Sequence, residues 1–257
     1  MHKCFCCLLA LFWLNAALAE PVEFLVSYGP HNGQPYVFIE KNKLTNGIIK
    51  DIADELAKIL QVEINYRETP RKREFTHLAQ NINHAIIISN PEWVHNSEQY
   101  QWSEPIFIGK TVLVVNKHNS KVVNKIDDLA NMTLGTIRGY HYPILDPLFD
   151  KNIVFRSDVK SIELNFSRLN KGWIDGLVDS NLLARYYLKT MPVEQKNVAI
   201  STLFINEYPL RSALSPNSPV TLAKYNEALK QMKQNGTINS ILKKYGIEHS
   251  SEHPINP

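Results

Sequence analysis

The sequence predicts an α/β protein of two lobes, the second inserted into the first, and three observations predict it. Strand and helix periodicities alternate along the chain. The alternation pauses at a polar stretch after Val115 and then restarts. A late strand, Tyr208–Leu214, precedes two amphipathic helices that carry the chain back to the first lobe.

In order, Val22–Ser27 reads as a short buried strand that runs into the turn formers Gly29-Pro30-His31-Asn32-Gly33. From Ile48 the apolar residues (Ile48, Ile49, Ile52, Ala53, Leu56, Ile59, Leu60) recur at helical spacing, with Asn46 or Thr45 placed to cap the start. Val62, Ile64 and Tyr66 then alternate with polar residues, as strands do. A helix is expected over Arg71–Asn81, burying Phe75, Leu78 and Ala79, followed by strands at Ala85–Ser89 and Ile106–Val115. This succession implies a parallel sheet. Asn116–Ser120 looks like a crossing segment, so the first lobe is expected over 20–115 and 211–257 and the second over 116–210.

Within the second lobe the pattern gives a strand at Thr133–Ile137 and a loop and helix over Tyr140–Phe149. Then follow a strand at Ile153–Phe155, a helix at Ser161–Asn170, a strand at Trp173–Asp179 and a helix at Asn181–Leu188. Pro219–Gln234 and Thr237–Tyr245 are the closing helices, broken at Asn235-Gly236. Two crossings make a hinge, expected near Val115–Lys117 and Leu210–Ser215. A cleft at the carboxyl ends of the strands is where a small molecule fits.

Composition bounds the chemistry. Met1–Ala19 has a basic start, a ten-residue apolar run from Phe5 to Leu14 and Ala17-Leu18-Ala19, the pattern of a secretory leader cleaved before Glu20. That run is too short for a membrane helix, which needs about 20 residues, and Lys110 interrupts the longest later apolar stretch. All three cysteines (Cys4, Cys6, Cys7) fall in the leader, so the mature chain has no disulfide, thiolate metal site or cysteine nucleophile. Its 27 basic and 25 acidic residues leave it near neutral, against nucleic acid or an anionic membrane surface as the main partner. The expectation is a soluble periplasmic monomer without cofactor or metal. The histidines are scattered, and the pair His249 and His253 sits in a tail expected to be disordered.

Several motifs occur in a fixed order: Gly33-Gln34-Pro35-Tyr36 before Asn46-Gly47-Ile48-Ile49-Lys50-Asp51-Ile52; Trp102-Ser103-Glu104-Pro105-Ile106; Asp128-Leu129 before Leu134-Gly135-Thr136; Gly172-Trp173-Ile174-Asp175-Gly176; and Asn235-Gly236-Thr237-Ile238 closing on Lys244-Tyr245-Gly246. In these the chain resembles the family-3 extracellular solute-binding proteins, which include polar amino acid receptors of ABC transporters. The resemblance implies a two-lobed, type II periplasmic-binding-protein fold. It also implies capture of a small polar ligand (amino-acid-like, amine or small carboxylate) for an inner-membrane permease, with no catalysis.

On that resemblance, Tyr28 and Tyr36 lie in loops that lay an aromatic ring over the ligand, the alternative being plain core or surface tyrosines. Ser89 and Asn90 end a strand that offers polar groups. Arg138, Tyr140 and His141 follow the second lobe's first strand, at a helix start whose N–H groups suit an anion. Two departures stand out. The Arg that forks onto an amino acid's carboxylate is missing from Asn90–Glu98, and Ser180 occupies the spacing of the ammonium-binding Asp, with Asp179 one residue early. Arg71 or Arg73, after Pro70, can supply an anion contact; Glu92, Trp93 and Asp179 can instead make a cation pocket. For Trp93 a core role is the alternative. Competing functions are a sensor subunit for a chemoreceptor or kinase, and a dehydratase-like enzyme using Glu92, Asp179 or His141 as acid or base.

Overall fold

The computed structural model describes residues 21–118, 122–192 and 197–246. The expected leader, Asn119 and Ser120 of the expected crossing segment, and the tail with His249 and His253 lie outside the described residues.

In chain order the regular elements are β1 (Val22–Tyr28), β2 (Phe38–Glu40), β3 (Lys43–Asn46), α1 (Ile48–Leu60), β4 (Val62–Glu68), α2 (Arg71–Ala79), β5 (Ala85–Ser89), β6 (Gln101–Trp102), β7 (Phe107–Asn116), β8 (Thr133–Ile137), α3 (Asp146–Asp150), β9 (Phe155–Val159), α4 (Ile162–Asn170), β10 (Gly176–Ser180), α5 (Asn181–Thr190), β11 (Val198–Leu214), α6 (Leu222–Gln234) and α7 (Thr237–Lys244). The main sheet runs β4-β1-β5-β11-β7-β10-β8-β9, with β6 also on β11.

The sheet is mixed, whereas the alternation of elements implied a parallel one. Crossover helices enforce parallel pairing of β1 with β4 and β5, and of β8 with β9 and β10. Between these two halves stand β7 and β11, antiparallel to each other, with β10 antiparallel to β7 and β5 antiparallel to β11. β11 pairs β7 from Val198 to Leu210 and then transfers to β5 and β6 at Arg211–Leu214. Ser103 N–H donates to Ser212 O (2.9 Å) and Ile106 N–H to Leu210 O (2.7 Å), which draws the outgoing chain alongside the returning one. Val115, expected at the first crossing, is instead paired with Gly176 and Ala199 deep in the second half.

One apolar cluster joins β1, α1, β5, α6 and α7 with α4 and α5; a second lies under β8 and β10 around Leu113, Leu129, Leu134 and Val178. Tyr225 of α6 is fully buried, its hydroxyl donating to Ser212 Oγ (2.7 Å), which donates to Ile87 O (2.8 Å). A polar chain therefore pins α6 to the point where β11 changes partners.

Several local expectations are corrected. Gly47, not Asn46 or Thr45, caps α1, with φ 128° and ψ 164°. Asn46 Oδ1 accepts from the Gly47 N–H (3.0 Å) and so holds the cap from behind. Along α2, Ala79 is exposed and Glu74 buried, because helical geometry puts residues 71, 74 and 78 on the inner face. The loop and helix expected over Tyr140–Phe149 divide at Leu145: Tyr140–Leu145 is loop, and the helix is Asp146–Asp150, with Pro147 in its first turn. The strand expected at Ile153–Phe155 is β9, a polar edge strand from Phe155 on. Trp173 is 65% exposed and lies before β10. The β2–β3 hairpin, unforeseen, turns through Lys41 and Asn42, both at positive φ, with no glycine to announce it.

Gly47 sits in a region of backbone space open only to glycine, and a Cβ there would overlap the Tyr36 carbonyl and lie 2.8 Å from Val37 Cα. Gly47→Ala should therefore lower the unfolding free energy by more than about 2 kcal/mol in urea titration. Wild-type stability in that variant would contradict the packing described.

Candidate functional site

The carboxyl ends of β1, β5, β8 and β10 face a cleft between the two halves of the sheet, with an empty volume of about 820 Å³ including the part open to solvent. From the first half come Asn32, Tyr36, Arg71, Ile88 and Trp93. The second half supplies Thr111, the loop Tyr140–Leu145, Asp179, Ser180, Leu183 and, from β11, Asn206 and Tyr208. The cavity is thus ring-lined with few charges, the character of a small-molecule site.

Asp179, next to last in β10, is half-buried on the cavity wall, where its Oδ1 accepts from the Ser180 N–H (2.7 Å). Removal from water pushes its carboxyl up to about 7; the Ser180 bond opposes this and Glu163 adds to it. Around it stand the phenols of Tyr36, Tyr140, Tyr142 and Tyr208. Each is held un-ionised first by burial and further by the Asp179 charge. Trp93 packs edge-on against Tyr208, ring centroids 4.9 Å apart.

The first half contributes a buried charge cluster. Glu74, 1% exposed, accepts from Ser27 Oγ (3.1 Å) and from Arg71 Nη1 (3.0 Å), and its Oε2 lies 3.2 Å from His31 Nε2. Burial would raise its carboxyl, but His31 and Arg71 outweigh that and hold it at about 2. The Arg71 guanidinium stacks 5.0 Å from the Tyr140 ring centroid, and its buried Nε has no hydrogen-bond partner. Tyr140 in turn donates to His31 O (3.1 Å), and His95 meets His141 edge-on at 4.3 Å, so both halves touch around the cavity.

Of the residues expected at the site, Tyr36, Trp93, Tyr140, His141 and Asp179 are brought together on the wall. The other five do not line it. Tyr28 is buried in the core with its phenol bonded to the Leu44 backbone, and Arg73 is exposed, turned away from Arg71 by two helical positions. Ser89 is buried behind the wall in register with Arg211. Asn90 caps a 3₁₀ turn at Glu92 N–H and donates to Pro209 O, bracing the return crossing. Arg138 is exposed, its N–H paired with Val159 O. Glu92, offered for a cation pocket, is exposed and off the wall.

Sequence reasoning missed Thr111, Tyr142, Asn206 and Tyr208, which the long strands and the loop after β8 deliver. It missed the His31–Glu74 pair as well, although the helical spacing of Arg71, Glu74 and Leu78 carries that signal. Among the described residues no group of three or more His, Cys, Asp or Glu could hold a metal, and no helix is long and apolar enough to cross a membrane.

The model of the bacterial extracellular solute-binding proteins, family 3, matches residues 26–248. The chain belongs to this family. It is 26% identical over 238 residues to ABC transporter arginine-binding protein 1 of Escherichia coli (strain K12), covering 91% of this chain and 94% of that one. It is 23% identical over 222 residues to the L-cystine-binding protein TcyA of Bacillus subtilis (strain 168), covering 85% and 80%. An ancestral arginine-binding protein bound to arginine superposes with a TM-score of 0.73 at 24% identity, over 87% of this chain and 97% of that one. The fold is accordingly the two-lobed type II one, and the family-3 role is binding of a small polar ligand.

The two site carboxylates act oppositely on stability. Asp179, raised, contributes stability below its ordinary 3.8 and loses it as pH rises through about 7; Glu74, lowered, contributes above its ordinary 4.5 and loses it as pH falls through about 2. Without ligand, the melting temperature of Asp179→Asn should therefore rise relative to wild type between pH 4 and 8. A constant difference across that window would show that Asp179 is not desolvated.

Proposed function

We propose that this family-3 protein captures a small ligand that carries a protonated amine and an acceptor group, an amino-acid-like molecule, and presents it to an ABC-type importer. The observation that carries this is the pairing of opposite chemistries in one cavity. Asp179 stands among tyrosine rings, and the unpartnered Nε of Arg71 lies on the other half. Aromatic faces and a poorly hydrated carboxylate favour an ammonium, and a guanidinium donor favours an oxygen acceptor. The names of the two curated relatives, for arginine and for cystine, agree with this class.

In this reading the leader is cleaved after Ala19, the protein works in the periplasm as a monomer, and the cleft closes over ligand without chemistry. The partner exchange of β11 supports lobes divided near Ser103–Ile106 and Leu210–Ser212, ahead of the limit at 115 expected from sequence.

A thermal-shift and calorimetric screen against amino acids, amines, small carboxylates and sugars tests the reading. An amine-bearing hit should bind Asp179→Asn at least about tenfold more weakly, since a paired carboxylate has been removed. Its affinity should also fall by about tenfold per pH unit below pH 7, as Asp179 takes up a proton and loses its charge. A sugar as the best ligand, or an amine bound equally by the variant, would exclude the proposed site; consumption of the hit would make the protein an enzyme.

A further inference from the structure

Arg71 is the only cation among the residues that line the cavity of the described structure, histidine apart, yet it does not present a free positive charge. Its side chain is 10% exposed and its Nη1 is committed to Glu74. Glu74 is held from three sides. Ser27 donates to Oε1, and Arg71 and His31 meet Oε2. The His31 ring is itself clamped, because a Cβ on Gly29 would fall 2.7 Å from its atoms and 2.8 Å from Thr69 O. Tyr140 and Phe75 rings flank the guanidinium at 5.0 and 5.2 Å. Glu74 thus has no freedom to leave Arg71, and it does not line the cavity. With Arg71 paired to Glu74, Asp179 is the one carboxylate that lines the cavity of the described structure, and no ion pair holds it, so at pH above about 7 the wall that faces a ligand carries an unpaired negative charge.

We propose that Glu74 is a specificity-determining positioning residue: by neutralising Arg71 from behind, it makes the cleft select ligands of net positive charge, such as dibasic amino acids or diamines, over acidic ones. This rests on the reading of the cleft as an amine site. A ligand carboxylate that reaches the Arg71 guanidinium gains a hydrogen bond without the attraction of an unpaired cation, so a neutral zwitterion leaves one negative charge uncompensated and a second ammonium balances it.

The test compares wild type, Glu74→Gln and Arg71→Gln, each produced from the full-length chain, by calorimetry at pH 8 with L-arginine, putrescine, L-glutamate and succinate. The expected result is that Glu74→Gln lowers the ratio of cation to anion affinity at least tenfold, with L-glutamate or succinate gaining. Arg71→Gln should raise that ratio. Structural damage would weaken all four probes alike, and such a uniform loss, or an unchanged ratio, overturns the proposal. If Glu74→Gln does not fold, the ratio in Arg71→Gln decides. If wild type binds neither amine, the amine reading fails separately. Succinate then decides: it should raise the melting temperature of Glu74→Gln and not of wild type, and an equal response overturns the role of Glu74.

Discussion

The cleft depends on one strand changing partners. For most of its length β11 is bonded to β7, and in its last residues it is bonded to β5 and β6, with a shift of register between Arg211 and Ala213. Because both halves of the sheet hang on this strand, their carboxyl edges must face each other, and the loops at those edges become cavity walls. The exchange point is secured by buried polar groups rather than by apolar packing alone. Ser103 Oγ accepts from the Ser212 N–H, Ser212 Oγ bridges Tyr225 to Ile87, and Arg211 Nη1 donates to Ser103 O. Buried donors and acceptors of this kind are costly to leave unpaired, so they fix where the crossing occurs.

Electrostatics in the cleft follow from the same geometry. Each half brings one carboxylate, and their surroundings push them apart. Glu74 meets Arg71 and His31 and stays ionised to very low pH, while Asp179 meets mostly rings and is pushed up to about 7. The first is structural charge and the second is available charge. A cation brought beside Asp179 would restore to it what desolvation took away.

Much of the fold was legible because it is written in local periodicity. The buried isoleucines of α1, the alternation in β4 and the runs of β5 and β8 could be read within a residue or two. Legibility failed where neighbours in space decide. β9 is polar because it is an edge, and the Lys41-Asn42 turn has no glycine. The site was half legible for a related reason. Tyr36 and Tyr140 follow strands and Asp179 stands one residue before the end of β10, where cleft residues concentrate, but Tyr28 and Ser89, the last residues of β1 and β5, turn inward, since adjacent residues on a strand face opposite sides.

By itself the sequence determined the α/β class, the order of its elements, the family pattern and the absence of cysteine beyond Cys7, all properties of composition and short-range spacing. Only the tertiary structure decided that Arg71 and not Arg73 reaches the cleft, that Glu74 and His31 stand behind it, and that Tyr208 and Asp179 share a wall. The first two choices are made where the inner face of α2 packs on β1 and the loop after it, and the last by β11, which brings residues more than a hundred positions apart into contact; no local pattern encodes the charge or burial that such contacts create.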